Sequence, residues 1–430
     1  MNNIKQVLLV ENRYVRSLYP FSILHSGWEL RCGAFRVFEK LQHIFQDSKI
    51  IFYGRGLHLQ SFLARFNQND NSPQKTNTLI LFSSILPLIS FFDELKTKYN
   101  DYCKEVGNTN VSAVFVHRGQ PLAVYLSEDD IINPIEFDLQ FLPKLLTDYA
   151  HLIKNIEISE PKMLNFLWDA IEFNSQSIID DSVFFNHNPE YFELEKKGVH
   201  FLNKDSIFIG DGCKISPGVV LDADEGPIII GKSVKILPNS VILGPCFIGD
   251  NCIIKAGAKI YEHSSFGEFC KVGGEVENSI MQSYSNKQHE GFLGHSFICE
   301  WVNLGADTNT SDLKNTYGNI KVMIEDEEFD TGRMFLGLLC GDHTKSAINT
   351  SFTTGTIVGI AGILVANVFL PRYIPSFAWG GENKSSIYKI NKAIEVAKIV
   401  MARRGKTLLP EEEKLMTLEY ESTHNKYFRK

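Results

Sequence analysis

"IIIGKSVKILPNSVILGPCFIGDNCIIKAGAKIYEHSSFGEFCKV", residues 228 to 272, decides the fold. Within it Ile230, Ile236, Ile242, Ile248, Ile254, Ile260, Phe266 and Val272 fall every six residues without a break. Ile209, Ile215 and Leu221 form an earlier series with the same spacing. A period of six suits neither an amphipathic helix nor an isolated hairpin. It fits a solenoid whose triangular coils each hold three short strands, with the repeated aliphatic residue turned toward the axis. Gly210, Gly231, Gly249 and Gly267 follow anchors and suit tight corners, where a Cβ would be crowded. Cys246, Cys252 and Cys270, separated by multiples of six, are expected to form one column of small side chains.

The register breaks after Val272, at "GGEVENSIMQSYSNKQHEG" (273–291). It resumes loosely at Leu293, Ile298 and Leu304, loosens again through 309–345, and returns in "AINTSFTTGTIVGIAGILVAN" (347–367). Interruptions of a solenoid are expected to project as loops from one edge, and loops on a rigid scaffold are where sites tend to sit. This break carries His289, His295 and then a run rich in Asn and Thr. Further on, "SSIYKINKAIEVAKIVMARRG" (385–405) reads as a helix with an apolar stripe, either a cap over the last coil or a packing helix between subunits.

The front half has another texture. "QVLLVE" (6–11), "KIIFYG" (49–54), "TLILFS" (78–83) and "SAVFVH" (112–117) are short β-rich runs. Between them lie the helix-period stretches 29–45, 57–66 and 86–99. Alternating strands and helices predict a largely parallel sheet covered on its faces, with a ligand at the carboxyl ends of the strands. The stretch after the first strand, "ENRYVRSLYP", has no glycine, so neither the P-loop nor the dinucleotide pattern is present.

The bulk properties narrow the class. A chain of 430 residues exceeds what one core usually serves. Its 44% hydrophobic and 22% charged residues are ordinary for a globular protein. A net charge of -8 argues against a nucleic-acid binder. No stretch approaches the roughly 18 apolar residues of a membrane span. The polar opening "MNNIKQVLLVENRY" is not a secretory signal, so a cytoplasmic protein is expected. Eight cysteines, none in a C-x-x-C pair, predict reduced thiols rather than a zinc or redox motif.

Several longer stretches resemble a known family: "GPIIIG", "KVGGEVENSI", "YSNKQHEGFLG", "EWVNLGADTNTSDLKN", "GDHTKSAINTSFTTGTIVG" and "IPSFAWGG". These are similar to the bifunctional bacterial enzymes that make UDP-N-acetylglucosamine, a sugar nucleotidyltransferase joined to a glucosamine-1-phosphate N-acetyltransferase. The closer likeness is to their divergent GlmU-like branch of sugar nucleotidyltransferases. The resemblance implies an α/β, Rossmann-like nucleotidyltransferase domain (1–190), a left-handed parallel β-helix of hexapeptide repeats (200–382) and a helical tail (383–430). It also implies a homotrimer with sites between subunits.

The resemblance assigns residues too. His289, followed five residues later by Gly294, matches the family's general base. An imidazole, with a reference pKa near 6.5, suits removal of a proton from an amino sugar before its nitrogen attacks acetyl-CoA. Ala306, in "LGADT", matches the residue whose amide stabilises the thioester oxyanion and borders the cofactor. Asn303 matches a substrate-binding asparagine; Asn315, Tyr317 and Lys321 match the polar run that holds sugar and cofactor. Ala366 matches a residue lining the cofactor channel. Phe292 stands where the family has tyrosine, and Glu277 where it has a lysine for the sugar phosphate; Lys259 or Lys287 are the candidates to compensate. His295 is expected to be a polar coil residue or a support for another group, and His343 stays open.

In the front half the likeness is weaker. The family's Gly-rich loop is absent, Leu24, His25 and Ser26 replace Thr-Arg-Pro, and Glu29, Leu30 and Arg31 remain. Ile85 replaces the magnesium-binding aspartate, and Asn174 stands where the second ligand would be. Arg31 and Asn174 are therefore the nucleotide or metal candidates, with Mg2+ needed only if this half is active. The favoured reading is acetyl or acyl transfer from a CoA thioester to an amino sugar or its 1-phosphate. The alternatives are nucleotidyl transfer from a nucleoside triphosphate to a sugar 1-phosphate, and a trimeric scaffold without catalysis.

Overall fold

A computed structural model describes residues 4–68, 70–130, 154–324, 326–365, 370–380 and 386–428. The chain divides into two compact units. Met1–Arg16, His25–Glu29 and Phe35–Asn165 form the first; Ser17–Leu24, Leu30–Ala34 and Phe166–Lys430 form the second.

The first unit is built on β1 (Gln6–Val10), an apolar run buried along its whole length. It pairs in parallel with β2 (Lys49–Tyr53) and β3 (Thr78–Phe82). Beyond β3 the sheet changes direction: β4 (Ala113–His117) and β5 (Gln120–Leu126) form an antiparallel hairpin, and β5 runs antiparallel to β3. β6 (Lys154–Glu157) closes the order β2-β1-β3-β5-β4-β6. The sheet is thus mixed rather than largely parallel. The tight turn at Arg118 and Gly119, both with positive φ, returns the chain directly without a crossover helix. The helices are α1 (Val37–Ile44), α2 (Gly56–Arg65) and α3 (Ile89–Val106). Helical period over 29–45 thus becomes helix only from Val37, because Gly33 takes φ +84° and interrupts it.

The second unit is the hexapeptide-type β-helix expected, left-handed and parallel. One of its faces has nine parallel strands and a second has six; the third begins with five and continues in a separate set of four. The anchors alternate among the faces, so a full coil spends three hexads: Ile236 pairs with Ile254 and Ile254 with Val272. Cys252 and Cys270 follow this rule and stack, whereas Cys246 lies on another face in register with Ile228 and Ser264. The cysteines are two columns, not one. The anchor-following glycines answer to crowding between coils: a Cβ on Gly267 would lie 1.8 Å from the carbonyl oxygen of Gln282.

The break after Val272 is not a projecting loop. Val272 pairs with Lys287 and Val276 with Leu293, so both coils close before three full hexads are spent. The chain stays in the stack and shortens its corners, which a fixed six-residue period misses. The real excursion comes later. Ile298 pairs with Cys340, which makes this coil more than twice the regular length. It carries the antiparallel hairpin Lys321–Ile324 and Glu327–Asp330. Along one corner Phe269, Tyr284 and Trp301 stack with rings 10° apart, and His343 continues the ladder at 9°.

α4 (Leu167–Asp181) packs in this unit, and two tail helices, α5 (Ile390–Ala402) and α6 (Pro410–Thr423), follow the last coil. Among the described residues no helix is long and apolar enough to cross a membrane.

Candidate functional site

The strand Asn286–Lys287 leads into the corner that carries His289. The Val272–Lys287 register puts Lys287 in the interior column, beneath Ile215, Ile236, Ile254 and Val272. An ammonium there is costly unless every donor is matched. It is matched: Lys287 donates to the carbonyls of His289 (2.6 Å), Glu290 (3.0 Å) and Gly273 (3.4 Å). The side chain is 0% exposed, and burial pushes its pKa down to about 8 despite Glu290 and Asp307 nearby. Lys287 is therefore a brace inside the corner and offers no donor to a substrate outside.

His289 itself is exposed, at the end of the braced turn. Gly291 finishes the turn at φ +110°, where a Cβ would lie 2.2 Å from the carbonyl of Thr308, so only glycine fits. The next coil sits directly on this corner: the Asp307 N–H donates to the carbonyl of Glu290 at 3.1 Å. Ala306 precedes Asp307. Its carbonyl accepts from Asn349, and among the described residues its N–H has no acceptor. Asn303, on the flank of the same two coils, lies in register between Asn286 and Lys345, and its side-chain oxygen accepts from Asn286 at 3.4 Å. The fold thus brings His289, Ala306 and Asn303 onto adjacent coils.

Several of the other candidates have partners of their own. Asn315, Tyr317 and Lys321 are on the excursion, all exposed, with Lys321 paired to Glu328 at 2.9 Å. The excursion is fastened to the following corner of the coil, where His295 binds Asp312 at 2.8 Å and stacks on Phe335. Lys259 pairs with Glu275 at 3.7 Å. Glu277 stands in register with Gly294, and the Phe292 N–H donates to Asn309. His343 is buried at the end of the aromatic ladder. Ala366 lies outside the described residues.

Arg31 and Asn174 have structural work in the second unit. Arg31 donates to the carbonyls of Gln282 and Ala34, pairs with Glu268 at 3.3 Å and lies over the Phe247 ring. Asn174 accepts from the Gly33 N–H and the Ser265 hydroxyl, and donates to the His263 carbonyl. In the first unit, Glu11 at the carboxyl end of β1 accepts from the Gly27 N–H (2.8 Å) and pairs with Arg55 (3.1 Å). Nearby, burial works to raise the pKa of Glu29, but Arg65 and His25 hold it below the usual carboxylate value. Ile85 is buried. Ile85 has no donor to offer a metal and the Asn174 amide is engaged within the second unit, so this pair does not form a Mg2+ site; among the described residues no three His, Cys, Asp or Glu side chains cluster to hold a metal.

A family model described as sugar nucleotidyl transferase matches residues 7–189, and one described as bacterial transferase hexapeptide (six repeats) matches residues 227–262. The bifunctional protein GlmU of Methanococcus aeolicus is 27% identical over 317 residues, which cover 71% of this chain and 74% of that one. The chain resembles the GlmU proteins. A bifunctional sugar-1-phosphate nucleotidylyltransferase/acetyltransferase of Sulfurisphaera tokodaii is 29% identical over 35% of this chain and 36% of its own. The GlmU of Heliobacterium modesticaldum is 31% identical over 43% of this chain and 35% of its own. In this GlmU-like chain, the short coil and its interior lysine are what sequence reasoning missed. The signal was there: Lys287 occupies an anchor position once a shortened coil is allowed.

Proposed function

We propose that this GlmU-like chain transfers an acetyl or other acyl group from a CoA thioester to an amino sugar or its 1-phosphate, at the corner of His289. The observation that carries the proposal is that the turn of exposed His289, braced by Lys287, bonds through the Glu290 carbonyl to Asp307, the neighbour of Ala306 with its unengaged N–H. His289 takes a proton from the substrate ammonium and passes it to solvent; the free amine nitrogen then attacks the thioester carbonyl and sheds a second proton. The C–N bond forms, the C–S bond breaks and the CoA thiolate leaves, taking up a proton. The Ala306 N–H donates to the oxyanion formed on the way, a contact that costs little reorganisation on a rigid coil. Asn303 orients the acceptor.

The chain works as a homotrimer in the cytoplasm, where its eight free cysteines stay reduced. Exposed Ile348 and Val365, at 68% and 57%, give an apolar edge for a second copy to cover.

The test is thiol release from acetyl-CoA with a panel of amino sugars and their 1-phosphates, wild type against His289→Ala. Turnover that falls at least about 100-fold in the variant is expected. No release with any acceptor sinks the acyl-transfer reading, and unchanged turnover in the variant discards His289. The nucleotidyltransferase match over residues 7–189 favours a second reading, nucleotidyl transfer. It calls for pyrophosphate release from a nucleoside triphosphate and a sugar 1-phosphate.

A further inference from the structure

The outer column of the face that leads to His289 is unusually basic. Lys214, Lys235, Ile253, Lys271 and Asn286 stand in register, and Asn303 and Lys345 continue the line. Lys255 lies beside it, beneath Gly273, where a Cβ would approach that of Lys255 to 3.0 Å. Gly273 in turn packs under Gln288, whose carbonyl oxygen a Cβ there would approach to 2.7 Å, so Lys255 lies two coils below the His289 turn. From the tail, Lys406 reaches the face and places its ammonium 5.9 Å from the Tyr284 ring.

The turn after α5 adds Arg403 and Arg404. Lys271 is held below the usual lysine value by burial first, and then by Arg404, Lys255 and Arg403. Lys271 thus feels the positive charge of the other three. Among the described residues Lys255, Lys271, Arg403, Arg404 and Lys406 form no ion pair. The nearby carboxylates have other partners: Glu268 pairs with Arg31, Asp250 accepts from the Lys232 N–H, and Glu413 pairs with Lys398. In a chain of net charge -8, five gathered cations are a field waiting for an anion.

We propose that Lys255, Lys271, Arg403, Arg404 and Lys406 form a binding site for a phosphate-bearing group of a substrate whose reacting end lies at the His289 corner. Column continuity supports this: Lys271 is next in register to Asn286, which bonds Asn303. The site also gives the second unit a home for the phosphate charge that Glu277 is unable to receive. Binding of phosphate stands by itself; the identity of the substrate rests on the acyl-transfer reading. Two sources share the chemistry, the phosphates of CoA and the phosphate of an amino-sugar 1-phosphate.

Calorimetric titration of the full chain distinguishes them. The ligands are CoA, 3′-dephospho-CoA, glucosamine 1-phosphate, glucosamine and inorganic pyrophosphate. The proteins are wild type, Lys271→Glu/Arg404→Glu, the milder Lys271→Gln/Arg404→Gln, and Lys197→Glu as an exposed control, each checked by thermal melting. We expect the charge-reversed variant to lose about tenfold or more in affinity for one phosphate ligand, with a smaller loss in the Gln variant and none in the control. A loss confined to CoA, with 3′-dephospho-CoA unaffected, names the 3′-phosphate; an equal loss for both CoA forms names the diphosphate. A loss confined to glucosamine 1-phosphate names the sugar phosphate. Wild type that binds none of the phosphate ligands, or binds them as tightly as a folded double variant does, overturns the proposal. Phosphate binding without thiol release leaves this site standing and removes the acyl-transfer reading instead.

Discussion

The Lys287 ammonium donates to the main-chain carbonyl of His289 at 2.6 Å, from inside the solenoid. The proposed base and the residue that holds its turn are thus near neighbours in sequence but on opposite sides of the wall. Lys287→Met keeps the length and apolar stem of the side chain and removes all three donors. The expected outcome is a kcat for thiol release lowered about 10- to 100-fold with KM little changed, because a base displaced by about 1 Å costs that much. An unchanged kcat in a folded variant would show that the corner holds itself.

The same lysine gives stability a sign with pH. Burial lowers its pKa in the folded chain to about 8, below the reference value of 10.5. Between these values the unfolded chain binds more protons than the folded one, so this lysine's contribution to stability rises as pH increases from 8 to 10.5. Lys345, also lowered to about 8 by burial, acts in the same direction. Buried thiols raised above their usual value act oppositely, so the clean measurement is a difference. The melting temperature of Lys287→Met relative to wild type should be most favourable below pH 8 and should fall steadily toward pH 10.5. A difference independent of pH would mean that the ammonium is not buried.

His295 and Asp312 fasten the excursion, together with the Phe335 ring that lies on the imidazole. Asp312→Ala removes the carboxylate and leaves the coil intact. Proteolysis within 313–335 is expected to speed up about tenfold or more, as a hydrogen bond to a charged group contributes roughly 1.5–3 kcal/mol. Global melting should hardly move. Equal cleavage rates would place the hold elsewhere.

Ile254 and Ile348 make a contrast between inside and outside. Ile254 is fully buried in the column, so Ile254→Ala should cost about 2–5 kcal/mol in denaturant unfolding. Ile348 is 68% exposed on the single chain. If the proposed trimer covers it, Ile348→Glu should release monomers seen by light scattering. A Glu variant with the wild-type mass would put the subunit contact on another edge.

The β-helix was legible because its signal is repetitive: eight anchors from Ile230 to Val272 leave little room for another fold. The regularity also misled. A fixed six-residue period turned the shortened coil at Val272–Lys287 into a supposed loop, because corner length is set by backbone stacking that a side-chain pattern does not record. His289, Ala306 and Asn303 were singled out through motif resemblance, and they lie on adjacent coils. Arg31 and Asn174 were ambiguous for a physical reason. A polar residue fitted to bind phosphate or metal is equally fitted to bond backbone carbonyls, and only burial and partners separate the two uses. The antiparallel strand β5 was missed because a hairpin turn such as Arg118–Gly119 weighs little beside strong helical periods.

The oversized coil between Ile298 and Cys340 also has a mechanical meaning. Coils of a solenoid touch only their neighbours, so a chain pulled from its ends gives way coil by coil. A regular coil, such as that from Ile236 to Ile254, would release about 60 Å of extended chain. The coil from Ile298 to Cys340 would release about 140 Å in one step. A single-molecule trace would therefore carry its own ruler, a train of short extensions with one long one marking the passage of the excursion.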